Sequence, residues 1–142
     1  YHDQEPYSKS SIMNENKILD YSKRVMEEYD VRPRSPHLMT SNFSGGNQQK
    51  LILSRELNEN PKILLIGQPT RGVDIGAIEF IHQRLIDMRD KGAAILLVSV
   101  ELEEILSLSD RIAVMFDGMI VGERVNEDVT DRELGLLMAG VA

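Results

Sequence analysis

Two short, uninterrupted apolar runs, separated by an amphipathic stretch, constrain the fold of this chain more than any other feature. The runs are KILLI at 62–66 and AAILLVSV at 93–100, and such runs are typical of strands buried on both faces. The stretch between them, 76–92, predicts a helix with Gly92 as its C-terminal cap. Its apolar stripe consists of Ile78, Ile81, Leu85 and Met88. Strand, helix and strand in this order predict an α/β fold with a mainly parallel sheet and flanking helices.

The residues before the first run predict two further helices. From Asn16 onward the apolar spacing fits one helix face, made of Ile18, Leu19, Ser22, Val25, Met26 and Tyr29. The segment 31–42 contains two prolines and no period, so it predicts a loop. Residues 44–60 predict a loop that leads into a second helix, which ends near Asn58–Asn60. Residues 1–15 are polar, and we expect a loose connection there.

The residues after the second run predict a short helix, a hairpin and a last helix. The short helix is ELEEILSL at 101–108. The runs RIAVMF and MIVGER flank Asp117–Gly118, a dipeptide that favours a two-residue hairpin turn. Thr130 and Glu133 have the spacing of a capping box for a helix that ends at Met138.

The composition excludes several kinds of site. The net charge of −7 over 142 residues leaves no evident basic surface, so we predict no nucleic-acid partner. The chain has no cysteine, and its three histidines lack the spacing of metal ligands, so we predict no metal site. No apolar stretch is long enough to span a bilayer. No signal peptide opens the chain, and it does not begin with Met. Its start, YHDQEPYSKSS, looks like a cut inside a longer protein, so we expect a fragment.

The segment FSGGNQQK at 43–50 combines two adjacent glycines with side chains that can donate hydrogen bonds. Paired glycines let the backbone approach another group closely, and the free N–H groups of a helix start favour an anion. A serine-capped helix start without a ligand is the alternative. The run SGGNQQ resembles the signature motif of ABC-type ATPases, in the form found in importers of simple sugars and nucleosides. That resemblance implies a group of residues that bind an ATP shared with a partner domain. They are Ser44, Gly45, Gly46, Asn47 and Gln48.

The segment ILLIGQPTRGVD at 63–74 resembles the Walker B strand and D-loop of the same family. In the family the strand ends in an aspartate that organises Mg²⁺ and a glutamate that acts on the attacking water. Gly67 and Gln68 stand in those two places here. An amide can orient water but cannot accept a proton, so Gln68 is at most a weak catalytic residue. Taken alone, ILLIGQPT predicts only a buried strand and a proline turn.

The positions that match the D-loop are Arg71, Gly72 and Asp74. The resemblance implies that they make contact across a dimer of ATPase domains and link the two ATP sites. The alternative is a turn held by an aspartate hydrogen bond, with a solvated arginine. The sequence leaves both interpretations open.

The segment 96–123 resembles the switch strand, the following helix and the closing hairpin of the family. The switch presents a histidine to the γ-phosphate, and Val100 stands in that place here. A valine makes no polar contact with a phosphate, so we expect Val100 to serve strand packing. We expect Glu101 and Glu103–Glu104 to be a solvated helix start rather than a catalytic cluster.

The three motifs occur in the family's order, and the resemblance covers residues 16–123. It implies a partial P-loop NTPase fold of the ABC ATPase type, truncated before the signature region. The expected division is a loose segment at 1–15, part of the helical subdomain at 16–60, and the C-terminal part of the RecA-like core at 61–142. QPTRGVDIGAIEFIH resembles the second of two nucleotide-binding domains in one subunit.

The chain contains no GxxxxGK[ST] sequence, so it has no loop to cradle the β- and γ-phosphates. We therefore expect no cofactor and no hydrolysis for this chain alone, whereas the full subunit uses ATP and Mg²⁺. The resemblance implies that the full subunit couples ATP hydrolysis to uptake of a nucleoside or simple sugar. Its implied partners are the first nucleotide-binding domain, the transmembrane permease subunits and, indirectly, a solute-binding protein. The implied location is cytoplasmic, on the inner face of the membrane.

Two other functions compete with this interpretation. A non-catalytic structural or regulatory ABC-like domain would explain why the acidic residues and the switch histidine are replaced. The paired glycines at a helix start argue against a pure scaffold, because a scaffold does not need them. An ABC ATPase that handles DNA is disfavoured by the acidic net charge and by the importer-like TRGVD.

Overall fold

The computed structural model describes residues 5–141, which divide into two compact units. The first unit comprises the residues up to Pro61 together with Thr70–Ile81. The second comprises Lys62–Pro69 together with the residues from His82 onward. Their strands form three two-stranded sheets, one parallel and two antiparallel.

The first unit is mainly helical. A short antiparallel pair, β1 (Ser8–Lys9) and β2 (Ile12–Met13), precedes helix α1 (Glu15–Glu28) and helix α2 (Gly45–Leu57). This pair of strands lies within residues 1–15, where the sequence predicted a loose connection. Both helices were predicted, and a 3₁₀ turn at Thr40–Asn42 lies between them.

The core of the first unit confirms the predicted face of α1. Its buried residues are Val25, Met26, Tyr29, Val31 and Phe43, and they pack against Tyr21, Leu38, Leu51 and Phe80. Asn14 starts α1 because its side chain accepts a hydrogen bond from the Lys17 N–H.

The predicted strand–helix–strand arrangement is present, with both of its strands in the second unit. Strand β3 (Ile63–Gly67) pairs in parallel with β4 (Ala94–Val98), and helix α3 (Ile75–Asp90) connects them in sequence. Gly92 has φ +92°, and its N–H bonds to the Arg89 carbonyl, which confirms the predicted C-terminal cap.

The C-terminal elements also match their sequence signals. Helix α4 (Leu102–Leu108) is followed by the hairpin of β5 (Arg111–Phe116) and β6 (Met119–Val125), and then by helix α5 (Asp131–Met138). Asp117 and Gly118 both have positive φ, as a type I′ turn requires. Thr130 caps α5 by accepting a hydrogen bond from the Glu133 N–H. A core of Ile112, Val114, Leu134 and Leu137 holds the hairpin and α5 together.

The expectation that both apolar strands are buried on two faces is wrong for this chain. Leu64 is 8% exposed, whereas its neighbours Ile63 and Leu65 are 77% and 70% exposed. Leu96, which pairs with Leu65, is 61% exposed. A continuous apolar run makes both faces fit for burial, but only one face is covered by the residues that the structure describes.

Within residues 5–141, no helix combines the length and the apolar character needed to cross a bilayer.

Candidate functional site

The paired glycines lie at the first turn of α2, directly after its cap. Ser44 is the N-cap, with extended backbone, and its side chain accepts a hydrogen bond from the Asn47 N–H. Ser44 and Gly45 are exposed, whereas Gly46 is buried. The first N–H groups of a helix have no partner within the helix. This corner therefore offers a hydroxyl and backbone donors at an accessible, electropositive helix end.

The two glycines are packed against the loop that leads into α3. A Cβ added to Gly46 would lie 3.0 Å from the Ala77 Cβ and 3.1 Å from Asp74 Oδ2. A Cβ added to Gly45 would lie 3.1 Å from the carbonyl oxygen of Gly72. The structure thus brings together the signature-like segment and the D-loop-like segment, which the sequence separates by more than 20 residues.

The side chains of Asn47 and Gln48 are engaged within their own unit. Asn47 Oδ1 accepts a hydrogen bond from the Arg32 N–H at 2.7 Å, and Asn47 Nδ2 donates to Ser44 Oγ at 2.9 Å. Gln48 Nε2 donates to the Phe43 carbonyl at 2.9 Å. Sequence reasoning treated both residues as direct ligands and missed these contacts, because no local pattern links residues 32 and 47.

The loop beside α2 carries a small charged cluster. The Arg32 side chain donates to Asp30 at 2.9 Å, and this hydrogen bond holds the pKa of the Asp30 carboxyl below its usual value. The positive charges of Lys50 and Arg34 act in the same direction. Lys50 Nζ also lies 4.7 Å from the centre of the Phe80 ring. The Lys50 side chain is only 13% exposed. Its contacts with Asp30 and Phe80 lie within its own unit.

The D-loop positions form a turn that starts α3. Asp74 Oδ1 accepts a hydrogen bond from the Ala77 N–H at 2.9 Å, and Arg71 is exposed. Gly72 has φ +73°, a conformation that glycine adopts without strain. The local geometry agrees with an aspartate-held turn. A further role of this turn in contact across a dimer stays a prediction.

The end of β3 supplies no carboxylate. Gly67 is the last residue of the strand, opposite Val98, and the Gln68 N–H donates to the Val98 carbonyl at 2.7 Å. Gln68 is half-buried and has φ +50°. A glycine and an amide do not suit Mg²⁺, which binds proteins through carboxylates. This strand end therefore offers Mg²⁺ no carboxylate ligand.

Two expectations about the segment after β4 are wrong. Val100 does not serve strand packing, because β4 ends at Val98 and the Val100 side chain is 62% exposed. Glu101 and Glu103 are exposed as expected, but Glu104 is only 3% exposed. Its Oε1 lies 3.2 Å from His82 Nε2. His82 lies 22 positions earlier in the sequence, and no local pattern reveals that contact.

Comparison with known proteins gives the family. The chain is 52% identical over 135 residues to the nucleoside import ATP-binding protein NupA of Lactococcus lactis. It is 49% identical over 135 residues to the guanosine import ATP-binding protein NupO of Bacillus subtilis. Both matches cover 95% of this chain. This chain is a member of the ABC ATPase family.

Solved structures support the same fold. An ATP-binding cassette of an ABC transporter matches 94% of this chain and 53% of its own length, with a TM-score of 0.71 and 23% identity. A dimeric cassette bound to ADP and phosphate matches 83% of this chain with a TM-score of 0.69 and 24% identity. At this identity the likeness shows the fold alone, which is the ABC ATPase cassette. No family model matches the chain.

The chain spans about a quarter of the length of these import proteins, 27% of the first and 26% of the second. The activity of a complete ABC importer subunit is therefore assigned to this chain only as a proposal.

Proposed function

We propose that this chain is the C-terminal part of the second nucleotide-binding domain of an ABC importer's ATP-binding subunit. It supplies the signature segment to an ATP that the first domain of the subunit holds by its P-loop. The observation that carries the proposal is the accessible start of α2, where Ser44 and Gly45 are exposed and Gly46 is held against the D-loop turn. Donors fixed in place before the reaction stabilise a developing negative charge better than mobile ones.

We further propose that the ATP site built on this domain's own β3 is impaired. Gly67 and Gln68 leave it without a carboxylate for Mg²⁺ or for the attacking water, and Val100 cannot replace a switch histidine. In the full subunit, ATP and Mg²⁺ act at the other site. The isolated chain should bind ATP weakly or not at all and should not hydrolyse it, because it has no P-loop.

Uptake of a nucleoside is the preferred transport function. The relatives with 52% and 49% identity are named for nucleosides and guanosine, while a glucose import protein of Haloferax volcanii is 44% identical over 124 residues. Import of a simple sugar is the second possibility. The proposed partners are the first nucleotide-binding domain, the permease and, indirectly, a solute-binding protein. The subunit would then lie on the inner face of the membrane through the permease.

A paired substitution tests the assignment of the two sites. In the full-length subunit with its permease, Gly46→Asp forces a side chain into the close packing against Ala77 and Asp74, so the donors at the start of α2 lose their alignment with the ATP. We expect it to lower the ATPase rate by about a hundredfold or more, the size typical of a lost charge-stabilising donor. Gln68→Ala, at the impaired site, should change the rate only slightly. Gly135→Ala, in open space on α5, is the control for handling and expression.

The opposite outcome would reverse the assignment: full activity with Gly46→Asp and no activity with Gln68→Ala. Full activity in both variants would instead favour the second candidate, a non-catalytic structural or regulatory domain. That candidate is supported by the missing carboxylates at the end of β3.

A further inference from the structure

The Asn47 side chain bridges two parts of the first unit, and its orientation is fixed by chemistry. The backbone N–H of Arg32 can only donate, so the Asn47 atom that lies 2.7 Å from it must be the oxygen. The amide nitrogen therefore faces Ser44 Oγ, at 2.9 Å, and can only donate to it. Asn47 thus holds the Ser44 oxygen from one side and the loop at Arg32 from the other.

The Ser44 hydroxyl is left with a single role. Its oxygen accepts one hydrogen bond from Asn47 Nδ2 at 2.9 Å and a longer one from the Asn47 N–H at 3.4 Å. A hydroxyl oxygen has two acceptor lone pairs and one hydrogen. With both lone pairs engaged, the group can act toward any further partner only as a donor. Ser44 is exposed, so such a partner can reach it.

We propose that Asn47 is a positioning residue that presets the Ser44 hydroxyl as a hydrogen-bond donor to the γ-phosphate of the shared ATP. The inference rests on the proposed function of this segment. It gives Asn47 a role that acts through Ser44 rather than by contact with the nucleotide. The bond to Arg32 fixes the amide so that the hydroxyl is oriented before ATP arrives, and no reorientation is needed when the site closes.

The test is a double-mutant cycle in the full-length subunit with its permease. The variants are Ser44→Ala, Asn47→Ala and the double substitution, with Gln83→Ala on the exposed face of α3 as a neutral amide control. For each we measure kcat and KM for ATP and, separately, the affinity for ADP. Asn47→Ala should lower kcat about tenfold, within the usual range of coupling between contacting residues. In the Ser44→Ala background, adding Asn47→Ala should lower kcat by less than about twofold.

The ADP measurement separates positioning from a purely structural role. ADP has no γ-phosphate, so its affinity should be the same in wild type and Asn47→Ala. A general loosening of α2 would weaken ADP and ATP alike. Additive losses in the cycle, or a parallel loss of ADP affinity, would overturn the inference.

A second variant keeps the test decisive if Asn47→Ala does not fold. Asn47→Asp preserves the size and the acceptor for the Arg32 N–H but removes the donor to Ser44. It should lower kcat for ATP with unchanged ADP affinity, and wild-type kcat in this variant would contradict the inference. If Ser44→Ala itself has full activity, the proposed function fails. If Ser44→Ala is impaired but Asn47 is not coupled to it, only the positioning role fails.

Discussion

At the residue scale, Gly45 and Gly46 are required by close packing rather than by an unusual backbone. Neither has a positive φ, unlike Gly72, Gly92 and Gly118. A Cβ at either position would point at the turn that starts α3, and at Gly46 it would lie 3.0 Å from the Ala77 Cβ. The backbone donors at the start of α2 are thus held in place by the close packing of these two glycines against the turn.

Two glycine-to-alanine substitutions in helices should have opposite effects on stability. Gly46→Ala forces Ala77 or Asp74 to move, and we expect it to lower the free energy of unfolding by about 1–3 kcal/mol. Gly135→Ala has no atom within 4 Å of the new methyl group and should raise it by about 0.5–1 kcal/mol. Urea unfolding of the two variants and the wild type measures both changes. Equal effects at the two positions would show that the packing at Gly46 does not constrain it.

At the element scale, the apolar pattern predicted the strands, their order and the helix between them, but it did not predict burial. Alternate residues of β3 lie on opposite faces, and only the face with Leu64 is covered by the described part of the chain. The hairpin and the caps could be predicted because Asp117–Gly118, Gly92 and Thr130 act through the backbone next to them. Contacts between distant segments, such as Arg32 with Asn47, leave no such local signal.

The two faces of β3 should differ in sensitivity to truncation. Leu64→Ala removes a buried side chain and should lower the free energy of unfolding by about 2–5 kcal/mol. Leu65→Ala, at a position that is 70% exposed, should cost less than about 1 kcal/mol. Urea unfolding of this chain at low concentration measures both. A similar cost at both positions would show that the second face is also covered in solution.

At the scale of the whole molecule, the order of the motifs predicted the family, and comparison with known proteins confirmed it. The positions of the paired glycines and of Gly67 and Gln68 at the end of β3 could be read from the sequence. The exposure of Val100 and the burial of Glu104 could not, because each depends on which other segments lie beside it. The proposed ATP site is shared between two domains, so no single domain's sequence can specify its complete geometry.

The most direct test of the account asks which domain holds the ATP that reaches the start of α2. In the full-length subunit carrying Ser44→Cys, an ATP analogue with a thiol-reactive group on the γ-phosphate is added and the labelled position is mapped. We predict labelling at position 44 that disappears when the P-loop lysine of the first domain is replaced by alanine. Absence of labelling, or labelling that persists without that lysine, would contradict the claim that this segment completes the first domain's ATP site.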